Sequence, residues 1–275
     1  PKPKRQGLVT MSRMELLTYL ISGAVAGLMA GLLGIGGGLV IVPALAMLFL
    51  QQGFSADTVM HYAVGTSLAT IILTSISSLL AHQRRGSVSW PVVHLMAPGI
   101  LLGALASAWL AKQMSSTMLA LVFGVFVLLV AGQLLLGARP APQRQLPGAV
   151  GLGVTGSVIG LVSGLLGIGG GTMTVPFLLW NRVDIRLAVG TAATLGLPIA
   201  LAGTVGFIIG GLHTAAQPGY NSGFIYWPAV AAVVLASVPA APLGARLAHY
   251  LPRATLQRLF ALLLVIIGVK MITGA

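Results

Sequence analysis

The chain has 275 residues, 57% hydrophobic and 7% charged, with a mean hydropathy of +1.00. So little charge cannot cover a water-soluble domain of this size, and apolar runs of about twenty residues place the chain among helical membrane proteins. The net charge is +12, but the basic residues are scattered in short loops without aromatic interleaving, which argues against a nucleic-acid partner.

Residues 1–13 read as a polar, basic tail. The first apolar segment, 16–33, carries Gly23, Gly27 and Gly31 at a spacing of four, a stripe that lets another helix pack closely. Gly34-Ile35-Gly36-Gly37-Gly38 follows, and each glycine costs a helix interior about 1 kcal/mol relative to alanine, so the helix should break there. The apolar piece 39–50, which contains Pro43, is about 18 Å long as a helix, too short for a hydrocarbon core of about 30 Å. Asp57 reads as a cap for the next span, 58–80, which opens with His61 and runs through Thr66-Ser67. A loop with His82, Arg84 and Arg85 leads to Trp90-Pro91, an interfacial anchor and a first-turn proline, with His94 just beyond. Spans at 91–111 and 118–137 complete this half, and 139–146 is a linker.

The pattern then restarts. Gly167-Ile168-Gly169-Gly170-Gly171 precedes Pro176, Ala188-Val189-Gly190-Thr191 repeats Ala63-Val64-Gly65-Thr66, and Trp227-Pro228 repeats Trp90-Pro91. Anchors returning in the same order indicate an internal duplication. The expected fold is an all-α polytopic membrane protein of two homologous repeats, 14–138 and 147–275. Each has four to five segments and a glycine-rich helix that is broken or re-entrant.

The span count turns on the two glycine breaks. Eight simple spans with an inside N-terminus put Arg182, Arg186, Arg246, Arg253 and Arg258 outside, against the positive-inside rule. If both breaks turn back, ten segments form an inverted repeat, and Arg84, Arg85, Arg139, Arg144 and those five arginines share the inner side. The short returning helices cannot cross fully, so eight and ten both stay open.

A broken helix exposes unpaired N–H groups and the positive end of a helix dipole, and glycine lets a ligand approach them. The helices starting near Gly38 and Gly171 are therefore candidate anion sites, with tight helix crossing as the alternative use of the glycines. Thr66, Ser67, Thr191 and Thr194 could donate to an oxyanion, or bond within their own helices. His61, His82, His94 and His213 are candidates for carrying a coupled proton. Scarce acids argue against a carboxylate-relay cation pump. There is no cysteine, no nucleophile motif, and no Rossmann or P-loop pattern around the glycines, so the reading is of no enzyme, no cofactor and no metal site.

Two G-x-G-G-G motifs, each followed by proline, in two apolar repeats resemble the TauE/SafE sulfite exporter family, also called TSUP or DUF81 permeases, over 16–274. The resemblance implies a multi-pass permease of the bacterial inner membrane, driven by the proton-motive force and moving sulfite or organosulfonate-like anions. It carries over to Gly34, Gly36, Gly37, Gly38, Pro43, Gly167, Gly169, Gly170, Gly171 and Pro176. The expected partners are the small anion and the lipid bilayer, with a homo-oligomer left open. An anion channel of the same architecture is the alternative.

Overall fold

The computed structural model describes residues 13–33, 37–136, 145–212, 220–247 and 253–274. The tail to residue 12, Gly34, Gly36, most of the linker and His213 lie outside the described residues.

The described residues form ten helices: α1 (Arg13–Leu33), α2 (Gly38–Gln51), α3 (Val59–Arg84), α4 (Trp90–Gln113), α5 (Ser116–Leu135), α6 (Ala149–Leu166), α7 (Gly171–Trp180), α8 (Ile185–Gly211), α9 (Trp227–Leu247) and α10 (Arg253–Thr273). One element was not legible in the sequence, a two-stranded hairpin of β1 (Asn221–Ser222) and β2 (Ile225–Tyr226) ahead of α9. Among the described residues, α3, α4, α5, α6, α8 and α9 are long and apolar enough to cross a membrane. The exposed side chains on these helices include Leu102, Trp109, Leu129 and Leu235, an outer surface suited to lipid rather than water.

The first short helix doubles back. Tyr19, near the start of α1, donates to Gln52 at the end of α2 (2.7 Å), and its ring lies 6.3 Å from that of Phe49. The end of α2 therefore lies level with the beginning of α1, and the two helices run antiparallel. At the second break Gly170 lies beside Ser163 and Ile159, so the connection to α7 turns back against the last turns of α6.

Helices from the two halves of the chain pack on each other, and glycine sets how closely. A Cβ on Gly23 of α1 would stand 2.6 Å from the Val233 carbonyl oxygen of α9, and one on Gly27 would strike Ser237. A Cβ on Gly156 of α6 would stand 2.5 Å from the Met96 carbonyl oxygen of α4, and one on Gly160 would strike Ile100. Each crossing runs parallel. Backbones this close gain dispersion and Cα–H···O contacts of about 0.5–1 kcal/mol each, which offsets the intrinsic cost of glycine in a helix. The packing reading of Gly23 and Gly27 therefore holds.

Two other inter-half pairs are antiparallel. In α5 and α10, Gly124 meets Gly268 and Ile272, and Gly268 in turn meets Leu128. In α3 and α8, the start of α3 meets the loop that follows α8, and the start of α8 meets the loop that follows α3. Asp184 caps α8, accepting the Arg186 amide at its start (2.8 Å). Asp57 does not cap α3: Thr58 holds the N-cap position, and the Asp57 amide bonds Ser55 instead.

Substitution separates glycines that pack from glycines that do not. Gly156→Val should cost several kcal/mol, because it drives a side chain into the Met96 carbonyl. Gly132→Ala, with open space around it, should stabilise by about 0.5–1 kcal/mol. Thermal unfolding of the two variants in detergent checks both signs.

Candidate functional site

The second glycine motif is described in full. Gly167 closes α6 in the left-handed region (φ 68°, ψ 31°), and the amides of Gly167 and Ile168 bond back to Gly164 (3.3 Å) and Ser163 (3.0 Å). This is the two-bond closure that glycine permits at a helix C-terminus. Gly170, also left-handed at φ 73°, is the N-cap of α7, and its carbonyl accepts from Met173 (3.1 Å) and Thr174 (2.9 Å). The Gly171 and Thr172 amides in that first turn have no residue four back within the helix to bond, and they sit at the positive end of its dipole. Pro176 and Pro43 lack an N–H, so the carbonyls of Thr172 and Leu39 lose their helical donor as well.

The two breaks meet. A Cβ on buried Gly38 would stand 2.5 Å from the Gly167 carbonyl oxygen and 2.9 Å from the Ile168 Cα. Ser67 Oγ donates to the Gly167 carbonyl (2.8 Å), tying α3 to the second break. Gly37 lies against Ala26 of α1, and Gly169 lies beside Ile71 of α3.

The other expected hydroxyls sit elsewhere. Thr66 Oγ1 accepts the Tyr226 amide (3.1 Å), and Thr191 Oγ1 accepts the Ser89 amide (2.9 Å). Tyr226 and Ser89 each stand one residue before a Trp-Pro pair, so each Ala-Val-Gly-Thr motif grips the Trp-Pro entry of the other half. Gly65 and Gly190 make the matching close approaches, to the Phe224 and Ser87 carbonyls. Thr194 donates within its own helix to Gly190 (2.9 Å).

These two joints differ in character. At the Thr66 joint, rings of Tyr19, Phe49, Phe54, Tyr62, Phe224 and Tyr226 interlock at centroid distances of 4.7–6.5 Å. His61 lies at its edge, 5.1 Å from the Phe224 ring, with Nε2 2.9 Å from the Ala111 carbonyl and a buried, unpartnered Nδ1. The Thr191 joint is polar, with His82 Nδ1 3.0 Å from Ser87 Oγ. His94 is exposed beside Trp90. None of these three histidines lies at the breaks.

The sequence reading missed a third set of hydroxyls. Helix hydroxyls such as Thr70, Ser107, Thr155 and Ser157 bond carbonyls one turn back. Ser163 at the end of α6, and Thr172 and Thr174 at the start of α7, leave their buried oxygens without a partner. Each such group costs about 1–3 kcal/mol. The signal was present when the two motifs are aligned: Thr172 and Thr174 stand where the first copy has Leu39 and Ile41. Among the described residues no cluster of His, Asp and Glu could hold a metal. Surface grooves on α10 and between α1 and α9 are apolar and lie away from the breaks.

Comparison with known proteins bears on what this arrangement does. The family described as "Sulfite exporter TauE/SafE" matches residues 19–271. A "Probable membrane transporter protein" of Haemophilus influenzae is 35% identical over 259 residues, covering 93% of this chain and 97% of the relative. "Probable membrane transporter protein YunE" of Bacillus subtilis is 27% identical, covering 94% and 98%. A relative from Methanocaldococcus jannaschii, named in the same words, is 24% identical over 92% and 94%. No solved structure matches the chain.

The joints can be tested singly. Thr191→Val leaves the half-buried Ser89 amide unpaired and should destabilise by about 1 kcal/mol, whereas Thr191→Ser should retain most of the stability. Denaturation midpoints of the purified variants compare the two.

Proposed function

This chain belongs to the sulfite exporter TauE/SafE family of membrane transporters, and from that premise we propose that it is a secondary transporter of a small sulfur-containing anion such as sulfite or an organosulfonate. The observation that carries the reading is the meeting of the two glycine breaks, Gly38 against Gly167 and Ile168. Two interrupted helices with bare backbone at one place are how transporters hold an ion without a fixed counter-charge. The described basic residues lie in loops or near helix ends, and the helix dipoles supply the positive potential, so the anion can leave as well as enter. The protein is a transporter rather than an enzyme, and a multi-pass membrane protein; the bacterial inner membrane is its proposed home.

The architecture we propose is an inverted duplication of five segments, α1–α5 and α6–α10. It is supported by the paired joints, by the matched glycine crossings and by the antiparallel packing of α3 on α8 and of α5 on α10. That arrangement gathers Arg84, Arg85, Arg182, Arg186 and Arg258 at one end of the bundle, the end the positive-inside rule assigns to the cytoplasm. Alternating access follows as rocking about the two joints, with the aromatic joint opening at one end and the polar joint at the other. His61 and His82, one at each joint, are where a coupled proton would act.

Gly38→Ala and Gly170→Ala should reach the membrane folded yet lose at least 90% of sulfite flux in proteoliposomes, since one presses on the Gly167 carbonyl and the other forces a side chain into a left-handed position against Ile199. Wild-type flux in both would contradict the reading; equilibration without uphill accumulation in the wild type would make the protein a channel. Topology is checked with single cysteines. Ser55→Cys and Ser222→Cys should label from the same face and Ser87→Cys from the other, whereas eight simple crossings would put Ser55 and Ser222 on opposite faces.

A further inference from the structure

We infer that the anion is held asymmetrically, by Ser163, Thr172 and Thr174 of the second half, with the first half contributing an apolar wall. This deepens the transport reading and rests on it. Two independent observations converge on the start of α7. The first is its N-terminus, where the Gly171 and Thr172 amides follow a left-handed cap at Gly170. The second is the side chains around it. Ser163 and Thr174 are completely buried, and their hydroxyl oxygens, with that of Thr172, find no partner. Ser163 Oγ lies 3.5 Å from where a Cβ of Gly170 would be, so it is aimed at the cap itself. Thr174 is one turn past Gly170, on the same side of α7. Unpartnered buried hydroxyls also occur at Thr58 and Thr204, but neither stands at a glycine-capped helix start.

Among the described residues, the start of α2 carries no equivalent hydroxyls. Its aligned positions are Leu39 and Ile41, both buried, and it meets the second break with Gly38 and with Val42, whose Cγ2 lies close to Gly167. Ile71 of the first half lies beside Gly169, and Ile159 and Ile199 of the second half lie beside Gly170. Three hydroxyls and two amides next to branched aliphatic side chains suit a ligand that carries both oxygens and a small apolar substituent. With no fixed cation beside them, neutral donors hold one negative charge far better than two, because each buried charge pays its own desolvation. The preferred ligand is therefore a singly charged oxyanion carrying a small apolar group, ahead of a doubly charged, fully oxygenated one.

The experiment uses the full chain, purified in detergent, with methanesulfonate and sulfate as probes and thermal-shift titration as the readout. Wild type should bind methanesulfonate at least tenfold more tightly than sulfate. Ser163→Ala and Thr174→Val should each raise the methanesulfonate Kd about tenfold, while leaving the ligand-free melting temperature unchanged or higher, since each removes an unpaired buried hydroxyl. Thr155→Val, whose hydroxyl is satisfied within α6, should leave the Kd unchanged. Unchanged affinity in both hydroxyl variants, or a lowered melting temperature with the ligand response intact, overturns the asymmetric site while anion transport stands. Preference for sulfate over methanesulfonate also overturns it. Absence of any anion response in the wild type, with no anion flux in proteoliposomes, overturns the transport reading and this inference with it.

Discussion

Backbone can touch backbone only where the side chains between have been removed, and this structure is arranged around a handful of such contacts. Gly23 and Gly27 bring α1 onto α9, Gly156 and Gly160 bring α6 onto α4, and Gly38 brings the start of α2 onto the second break. In lipid there is no hydrophobic force to drive helices together, so close van der Waals contact has to do it. That explains why many of the 37 glycines stand in helices that propensity alone would weaken. The same contacts interleave the halves: α1 packs on a helix from the second half, and α6 on one from the first. Neither half completes its own packing without the other.

The polar joints follow from the interleaving. An amide shielded from water where the chain enters a helix must find an acceptor in the protein. Thr66 and Thr191 supply it, each for the Trp-Pro entry of the opposite half. The aromatic packing around the first joint and the serine and histidine packing around the second make the two ends of the bundle unequal. In the transport reading that inequality is useful. An interlocked aromatic cluster is a thick closure, and a serine–histidine contact is a thin one. In the same reading, the hydroxyls at the second break carry the inequality to the proposed site, so the ligand would meet two dissimilar sides.

Much of this was legible in the sequence. Hydropathy gave the helical membrane class, and four glycines in five residues gave the breaks and the short helices behind them, within a residue or two of α2 and α7. The loop arginines pointed toward chain reversal at the breaks, and the contact of Tyr19 with Gln52 shows α2 doubling back. What was not legible depends on contacts between distant parts of the chain. Thr66 and Thr191 read as donors to a ligand because nothing local shows that a Trp-Pro entry from the other half needs them. Asp57 read as a cap from its position alone, and one residue of register gave that place to Thr58. Thr172 and Thr174 stand out only when the two glycine motifs are aligned; only the fold places Ser163 beside Gly170 and leaves these oxygens without partners.

The central claim is that an anion occupies the place where the two glycine breaks meet. Selenite is a close chemical substitute for sulfite, and its selenium can be located by anomalous diffraction from crystals of the protein soaked with it. The account predicts one dominant selenium peak per chain at the start of α7, within about 4 Å of the Gly171 amide and of the Ser163 and Thr174 hydroxyls, the range expected for a hydrogen-bonded oxyanion. A dominant peak elsewhere on the chain, with the breaks packed shut against each other, would contradict it.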